Sequence, residues 1–138
     1  MRAHSLLAYV DGAARGNPGP AAAGIVIQSP SGETLKNLSI AIGQTTNNVA
    51  EYAALVLALQ EALLMGAEEL QVYTDSELVA KQWNGEYKIK DATLKVLYQL
   101  ALHLKQGFRK LQVTHVPRER NKLADEQANR ALDSQALF

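Results

Sequence analysis

Three short segments typical of β-strands follow one another in the first third of the 138-residue chain, and helical and strand-like segments alternate after them. Short turns between the first three segments predict an antiparallel meander. The later strand–helix–strand steps require parallel pairing through right-handed crossovers. Together these patterns predict an α/β fold, in which one mixed sheet of five strands is flanked by helices.

The strands are predicted from apolar runs bounded by turn residues, and the helices from apolar positions that recur every three to four residues. The predicted strands are residues 5–10, 24–28, 34–42, 69–74 and 110–115. The predicted helices are residues 48–65, 76–83, 92–105 and 121–132. No repeat, low-complexity tract or linker separates them, so we expect a single domain over residues 1–138.

The composition excludes several kinds of site. The chain has no cysteine, which rules out disulfides and thiolate chemistry and fits a cytoplasmic protein. Fourteen basic and fourteen acidic residues give a formal net charge of zero, so a bound polyanion must be held by a few positioned contacts or by metal ions. No segment approaches the length of a membrane span, and nothing indicates an obligate protein partner.

Four acidic residues are predicted at the ends of strands and helices rather than on solvent-facing sides. Asp11 closes the first strand, Glu51 lies in the first turn of the long helix, and Asp75 follows the fourth strand. Asp125 lies near the start of the last helix. Because the first and fourth strands run parallel, Asp11 and Asp75 should emerge at the same edge of the sheet, where α/β folds usually bind ligands.

Each acid also has a purely structural interpretation. Glu51 follows Asn48 at the spacing of a capping box, Asp75 could cap the next helix, Asp125 suits the positive end of a helix, and Asp11 could open an Asx-turn. These interpretations explain the acids one at a time but not their common location. Clustered carboxylates repel unless a cation neutralises them, and oxygen ligands without cysteine favour Mg²⁺ or Mn²⁺. Two such ions roughly 4 Å apart suit phosphodiester hydrolysis, with a single structural metal as the alternative.

Four segments, in this order, resemble the active-site blocks of the type 1 ribonuclease H family. They are DGAARGNPGPAAAG at 11–24, TTNNVAEYAAL at 45–55, YTDSELV at 73–79 and THVPRERNKLADEQAN at 114–129. The match extends over nearly the whole chain. The resemblance implies a ribonuclease H-like sheet with strand order 3-2-1-4-5. It also implies endonucleolytic cleavage of the RNA strand of RNA/DNA hybrids, giving 5′-phosphate and 3′-hydroxyl products.

The resemblance also implies roles for individual residues. The metal-binding carboxylates of the family correspond to Asp11, Glu51, Asp75 and Asp125, with two Mg²⁺ ions as cofactors and Mn²⁺ as a substitute. Its substrate contacts correspond to Asn17, Thr46, Asn47 and Asn48. Short amides and turn backbones suit recognition of the 2′-hydroxyl that distinguishes RNA from DNA, and Gly12 allows the backbone to approach the substrate closely.

The chain departs from the family pattern between the second and third helices. NGEYKIKDATL, residues 84–94, is too short for the basic protrusion that many members use to bind the hybrid, so the chain resembles the compact form. Lys81, Trp83, Lys88 and Lys90 remain as a candidate surface for the DNA strand, although Trp83 on a short helix also suits packing. Without an appended hybrid-binding domain, we expect modest, salt-dependent affinity.

A second departure precedes Asp125, where the family often places a histidine. His115 stands at the matching distance but ends a predicted strand, whereas Arg118 lies in the loop itself. A histidine would transfer a proton near neutral pH, and an arginine would bind a phosphate oxygen. The sequence leaves both open as the catalytic helper.

Three other functions remain open at this stage. The chain could be a related nuclease that prefers double-stranded RNA, a DNA-cutting nuclease or recombinase on the same fold, or a non-catalytic hybrid-binding module. The non-catalytic module would be expected to lack one or more of the acids, and all four are present.

Overall fold

The structure is a computed structural model that describes residues 4–135. Its elements, in chain order, are β1 Ser5–Ala14, β2 Gly19–Gln28, β3 Thr34–Thr45, α1 Asn47–Leu64, β4 Glu69–Thr74, α2 Glu77–Trp83, α3 Ala92–Lys105, β5 Lys110–His115 and α4 Lys122–Gln135. A 3₁₀ turn, Arg118–Arg120, precedes α4. The strands form one sheet in the order β3-β2-β1-β4-β5, which confirms the predicted mixed sheet and its strand order.

The central strand β1 pairs antiparallel with β2 and parallel with β4, and β4 pairs parallel with β5. In this register Val10 lies beside Thr74, and Thr74 lies beside His115. The carboxyl ends of three parallel strands therefore meet at one edge of the sheet.

The first hairpin is longer than the sequence predicted. β1 continues past Val10 to Ala14, and Asp11 pairs with Gly24 inside the ladder. The prediction that Asp11 closes the first strand is therefore wrong. The large apolar residues that indicate a strand stop at Val10, but the small residues beyond it continue the pairing as far as Ala14 with Ala21.

Helices cover both faces of the sheet. The largest hydrophobic cluster lies between α1 and the sheet, where Tyr52, Leu55 and Leu59 are buried in one cluster with Val10 and Ile25. Burial of such side chains contributes roughly 1.5–3 kcal/mol each. No helix within residues 4–135 is both long enough and apolar enough to span a membrane.

α4 packs on the opposite face, where Ala22 of β2 contacts Ala131 and Leu132. The close approach depends on Gly24, because a Cβ at that position would lie 2.1 Å from the carbonyl oxygen of Ala124. Gly24 is also the pairing partner of Asp11. The first turn of α4 is thereby brought against the strands that carry the candidate site.

Candidate active site

Three acidic side chains converge at the carboxyl edge of β1 and β4. Asp11 comes from β1, Glu51 from α1, and Asp75 directly follows β4. One carboxylate oxygen from each lies within 4.8 Å of the others. Asp11 and Glu51 are buried and Asp75 is partly buried. Residues far apart in sequence therefore form one compact group of oxygen ligands.

Asp125 lies at the same site but outside this compact group. It is in the first turn of α4, lines the same cavity as the other three acids, and is close enough to Asp11 to raise the pKa of that carboxyl. Asn129 donates a hydrogen bond to Asp125 Oδ2 at 3.3 Å. The structure thus brings all four predicted acids to one cavity, three of them in close contact.

The helix caps leave the acids free for other roles. The side-chain oxygens of Thr46 and Ser76 cap α1 and α2 by accepting from the backbone N–H three residues further on. A capping role for Asp75, and a capping box between Asn48 and Glu51, are therefore wrong. α1 begins at Asn47, which places Glu51 in its second turn rather than the predicted first.

Glu51 bonds instead to the sheet. Its Oε1 accepts a hydrogen bond from the backbone N–H of Gly12, and both groups are buried. A Cβ at Gly12 would lie 2.1 Å from the carbonyl carbon of Ala50 and 2.2 Å from the nitrogen of Glu51. The close approach at Gly12 seen in the structure is thus to the backbone of α1, and it holds Asp11 beside Glu51.

Burial dominates the electrostatics of the acidic group. The pKa of Asp11 is raised to about 9, chiefly by burial and further by the charges of Glu51 and Asp75. Burial also raises the pKa of Glu51 to about 8, although the Gly12 hydrogen bond opposes this rise. The pKa of Asp75 is raised by burial as well, against the effects of Asn121 and Arg118.

These shifts give a test of whether the residues fit a metal ion. When no cation is bound, burial and the mutual repulsion of these carboxylates favour their protonated forms. A divalent cation removes that repulsion. An all-oxygen donor set is the kind that Mg²⁺ and Mn²⁺ prefer. The site therefore fits a hard divalent cation.

The acids line a cavity of about 390 Å³, and several of the residues predicted to bind the substrate line the same cavity. Gly12, Asn47 and Asn48 all line it. Asn17 is exposed in the β1–β2 turn, and its Oδ1 accepts a hydrogen bond from the Asn47 N–H at 2.9 Å. Asn17 therefore touches a cavity-lining residue, while Thr46 serves as the cap of α1.

The predicted DNA-strand surface lies along α2 and beyond it. Lys81 Nζ is 3.0 Å from the carboxylate of Glu77, a cavity-lining residue, and 3.3 Å from the hydroxyl of Tyr87. Lys88 is exposed. No helix forms in the described chain between α2 and α3, in agreement with the compact form.

Trp83 lies away from the cavity lining. Its ring meets Tyr98 edge-on at 5.8 Å between centroids, and Lys105 lies over it. Trp83 also packs against the hydrophobic core. The packing interpretation of Trp83 therefore has direct structural support.

The two candidate helper residues occupy different places. Arg118 lines the cavity, and its Nη2 lies 4.0 Å from Asp125 Oδ1. His115 is exposed at the end of β5 and does not line the cavity. Arg118 begins the 3₁₀ turn, which the sequence did not predict.

Sequence reasoning missed Asn121, a fully buried residue at the start of α4. Its amide donates a hydrogen bond to the carbonyl oxygen of Val10 at 2.8 Å. A polar residue before a helix ordinarily indicates a cap. The sequence therefore marked this position as a possible helix cap, but it could not predict the hydrogen bond to β1.

Comparisons with known proteins agree with this geometry. A family model described as reverse transcriptase-like matches residues 9–131. The chain is 45% identical to ribonuclease HI of Halobacterium salinarum over 126 residues. This match covers 91% of this chain and 63% of that protein. It is also 45% identical over 127 residues to the bifunctional protein Rv2228c of Mycobacterium tuberculosis, covering 91% of this chain and 35% of that protein. The chain thus spans less than two thirds of either relative.

A solved structure is similar over nearly the whole chain. The crystal structure of LC11-RNase H1 in complex with an RNA/DNA hybrid superimposes with a TM-score of 0.90 at 45% sequence identity. The match covers 96% of this chain and 99% of that one.

Proposed function

The chain belongs to the reverse transcriptase-like family and, within it, to the type 1 ribonucleases H, and we propose that it is a metal-dependent endoribonuclease that hydrolyses the RNA strand of RNA/DNA hybrids. One observation carries the proposal. The carboxylates of Asp11, Glu51 and Asp75 converge within 4.8 Å in a cavity of a fold that, in LC11-RNase H1, has been solved with such a hybrid.

We propose that Asp11, Glu51, Asp75 and Asp125 hold two Mg²⁺ ions, for which Mn²⁺ can substitute. When bound, the ions supply activation of a water for attack on phosphorus and stabilisation of the leaving oxygen. Departure of the 3′-oxygen gives 5′-phosphate and 3′-hydroxyl products. The Gly12 N–H and the close β1–α1 contact hold Asp11 and Glu51 in place before the substrate arrives.

The remaining cavity residues suit recognition of the substrate. Arg118 presents a guanidinium that can bind a phosphate oxygen through charge-assisted hydrogen bonds. Gly12, Asn17 and residues 46–48 offer amide, hydroxyl and backbone groups to the 2′-hydroxyl of the RNA strand. Lys81 and Lys88, with a smaller part for Trp83, would face the DNA strand. His115, outside the cavity lining, is left with a secondary role at most.

The same proposal extends to the domain organisation of the chain and to its cellular location. Residues 1–138 would form one ribonuclease H domain, and the absence of cysteine suits a cytoplasmic setting.

The test is a digest of one labelled RNA strand presented as a hybrid with DNA, as duplex RNA and as a single strand, alongside duplex DNA of the same sequence. With Mg²⁺ or Mn²⁺ the hybrid alone should be cut, and EDTA should stop the reaction. Asp11→Asn should abolish cutting while the variant remains folded by circular dichroism. Preferential cutting of duplex RNA would replace the proposed substrate, and full activity of Asp11→Asn would refute the metal site.

A further inference from the structure

Asn121 connects the strand that carries Asp11 to the helix that carries Asp125. It is 0% exposed, and its Nδ2 donates to the carbonyl oxygen of Val10, the residue before Asp11, at 2.8 Å. Its own backbone carbonyl accepts the N–H of Asp125 at 3.1 Å. One buried residue therefore links β1 to the first turn of α4.

The same side chain also neighbours the third acid. The amide of Asn121 interacts with the Asp75 carboxylate and opposes the rise of its pKa that burial causes. Asn121 thus bonds to the strand that carries Asp11 and to the helix that carries Asp125, and it lies close enough to Asp75 to affect the pKa of that carboxyl. Thr46 and Ser76, by comparison, each cap only their own helix.

The other end of the amide is not satisfied by the protein. Because the Val10 carbonyl can only accept, the hydrogen bond fixes which end of the amide is Nδ2. Oδ1 is buried and has no hydrogen-bond partner within residues 4–135. An unpaired buried acceptor costs about 1–3 kcal/mol, so buried amides that serve packing alone usually have both ends bonded. A buried acceptor that the protein leaves without a donor suits an O–H group, such as those of the waters that a bound Mg²⁺ keeps.

We propose that Asn121 is a positioning residue that holds Asp11, Asp75 and Asp125 at the spacing needed to bind divalent cations. The proposal rests on the metal-dependent function proposed above. Groups that orient metal ligands commonly contribute 10- to 100-fold to metal affinity. A purely structural asparagine would affect stability and leave metal affinity unchanged.

The test compares Asn121→Ala with Asn84→Ala. Asn84 is the control, because its Nδ2 also donates to a strand carbonyl, that of Val113 at 3.1 Å, but it is exposed and its side chain bonds to none of the strands or helices that carry the four acids. Mg²⁺ affinity is measured by titration calorimetry without substrate, and kcat and KM are measured on the hybrid. We expect Asn121→Ala to weaken Mg²⁺ binding at least about tenfold and to lower kcat with little change in KM. Asn84→Ala should keep the parent Mg²⁺ affinity.

Folded Asn121→Ala with the Mg²⁺ affinity of the parent would overturn the proposal. If that variant does not fold, Asn121→Ser, which retains a short donor, is held to the same tenfold criterion. Failure of both variants to fold, while Asn84→Ala folds, would assign Asn121 to the fold and equally overturn the proposal. If the parent binds Mg²⁺ without cutting hybrids, the proposed function fails, and the role of Asn121 is still decided by the Mg²⁺ affinities.

Discussion

The backbone N–H of Gly12 donates a buried hydrogen bond to the carboxylate of Glu51, at a point where the main chains of β1 and α1 touch. The contact places Asp11, one residue earlier in β1, beside Glu51. Since no side chain intervenes at this contact, the backbone fixes the separation of the two main-chain segments that carry these acids. Such fixed geometry is what a site that binds cations at defined positions requires.

Gly12→Ala should therefore damage both activity and stability. The new Cβ would overlap backbone atoms of Ala50 and Glu51, which cannot move aside as a side chain could. We expect a loss of about 1–3 kcal/mol in the free energy of unfolding by urea and at least about a tenfold fall in kcat.

The control is Gly32→Ala, in the turn between β2 and β3. Gly32 has φ +92° with no atom within 4 Å of an added Cβ, so the substitution strains the backbone without touching the site. It should lose stability and keep the kcat of the parent. Unchanged kcat in Gly12→Ala would contradict the role given to the β1–α1 contact.

The acidic group predicts how stability depends on pH in the absence of metal. The pKa of Asp11 is raised to about 9 and that of Glu51 to about 8, from ordinary values near 4. The folded state therefore binds more protons than the unfolded state between roughly pH 4 and pH 9. Stability from this source is fully present below about pH 4 and is lost as the pH rises through 8 and 9.

Thermal melts in EDTA should accordingly show a falling Tm between pH 6 and pH 9. Adding Mg²⁺ should raise Tm more at pH 9 than at pH 6, because the cation binds the ionised carboxylates. Asp11→Asn, a neutral isostere, should show a weaker pH dependence in EDTA and a higher Tm than the parent at pH 9. A parent Tm that rises with pH over this range would contradict the predicted protonation of the group.

Arg118→Ala should lower turnover more than His115→Ala. Arg118 lines the cavity and lies 4.0 Å from Asp125, whereas His115 is outside the lining. We expect at least a tenfold fall in kcat for Arg118→Ala, which corresponds to about 1.4 kcal/mol in the barrier. Arg118→Lys keeps the charge and loses the planar guanidinium, so its kcat should lie between those of Arg118→Ala and the parent. A larger effect of His115→Ala would reverse the assignment.

Tyr52→Phe should destabilise the packing of α2 against α1. The fully buried Tyr52 hydroxyl donates to Gln82 Oε1 at 2.6 Å, and Gln82 Nε2 in turn donates to the Lys88 carbonyl at 3.0 Å. Removing the hydroxyl leaves Gln82 Oε1 buried without its donor, at a cost of about 1–3 kcal/mol in the free energy of unfolding. The control is Tyr73→Phe, which removes a hydroxyl from a partly exposed residue of β4. This substitution should change the free energy of unfolding by less than about 0.5 kcal/mol.

The order of the elements and a mixed sheet could be predicted from the sequence because they depend on local signals, whereas the strand order 3-2-1-4-5 was implied by the family resemblance. Period-two and helical apolar patterns mark strands and helices within short windows, and crossover handedness then restricts the pairing. The bounds of β4, α3 and β5 were predicted to the residue. The common location of Asp11 and Asp75 followed from strand direction, whereas the addition of Glu51 and Asp125 to the same site was implied by the family resemblance.

The tertiary structure alone decided the contacts between residues that are distant in sequence. β1 continues through Asp11 because small residues pair there across the hairpin, and no apolar pattern records that. The meeting of Glu51 with Gly12, and of Asn121 with Val10, spans 39 and 111 residues respectively. The sequence determined which carboxylates are available, whereas the packing of α1 and α4 on the sheet decided their distances, burial and pKa values, because those quantities depend on through-space neighbours.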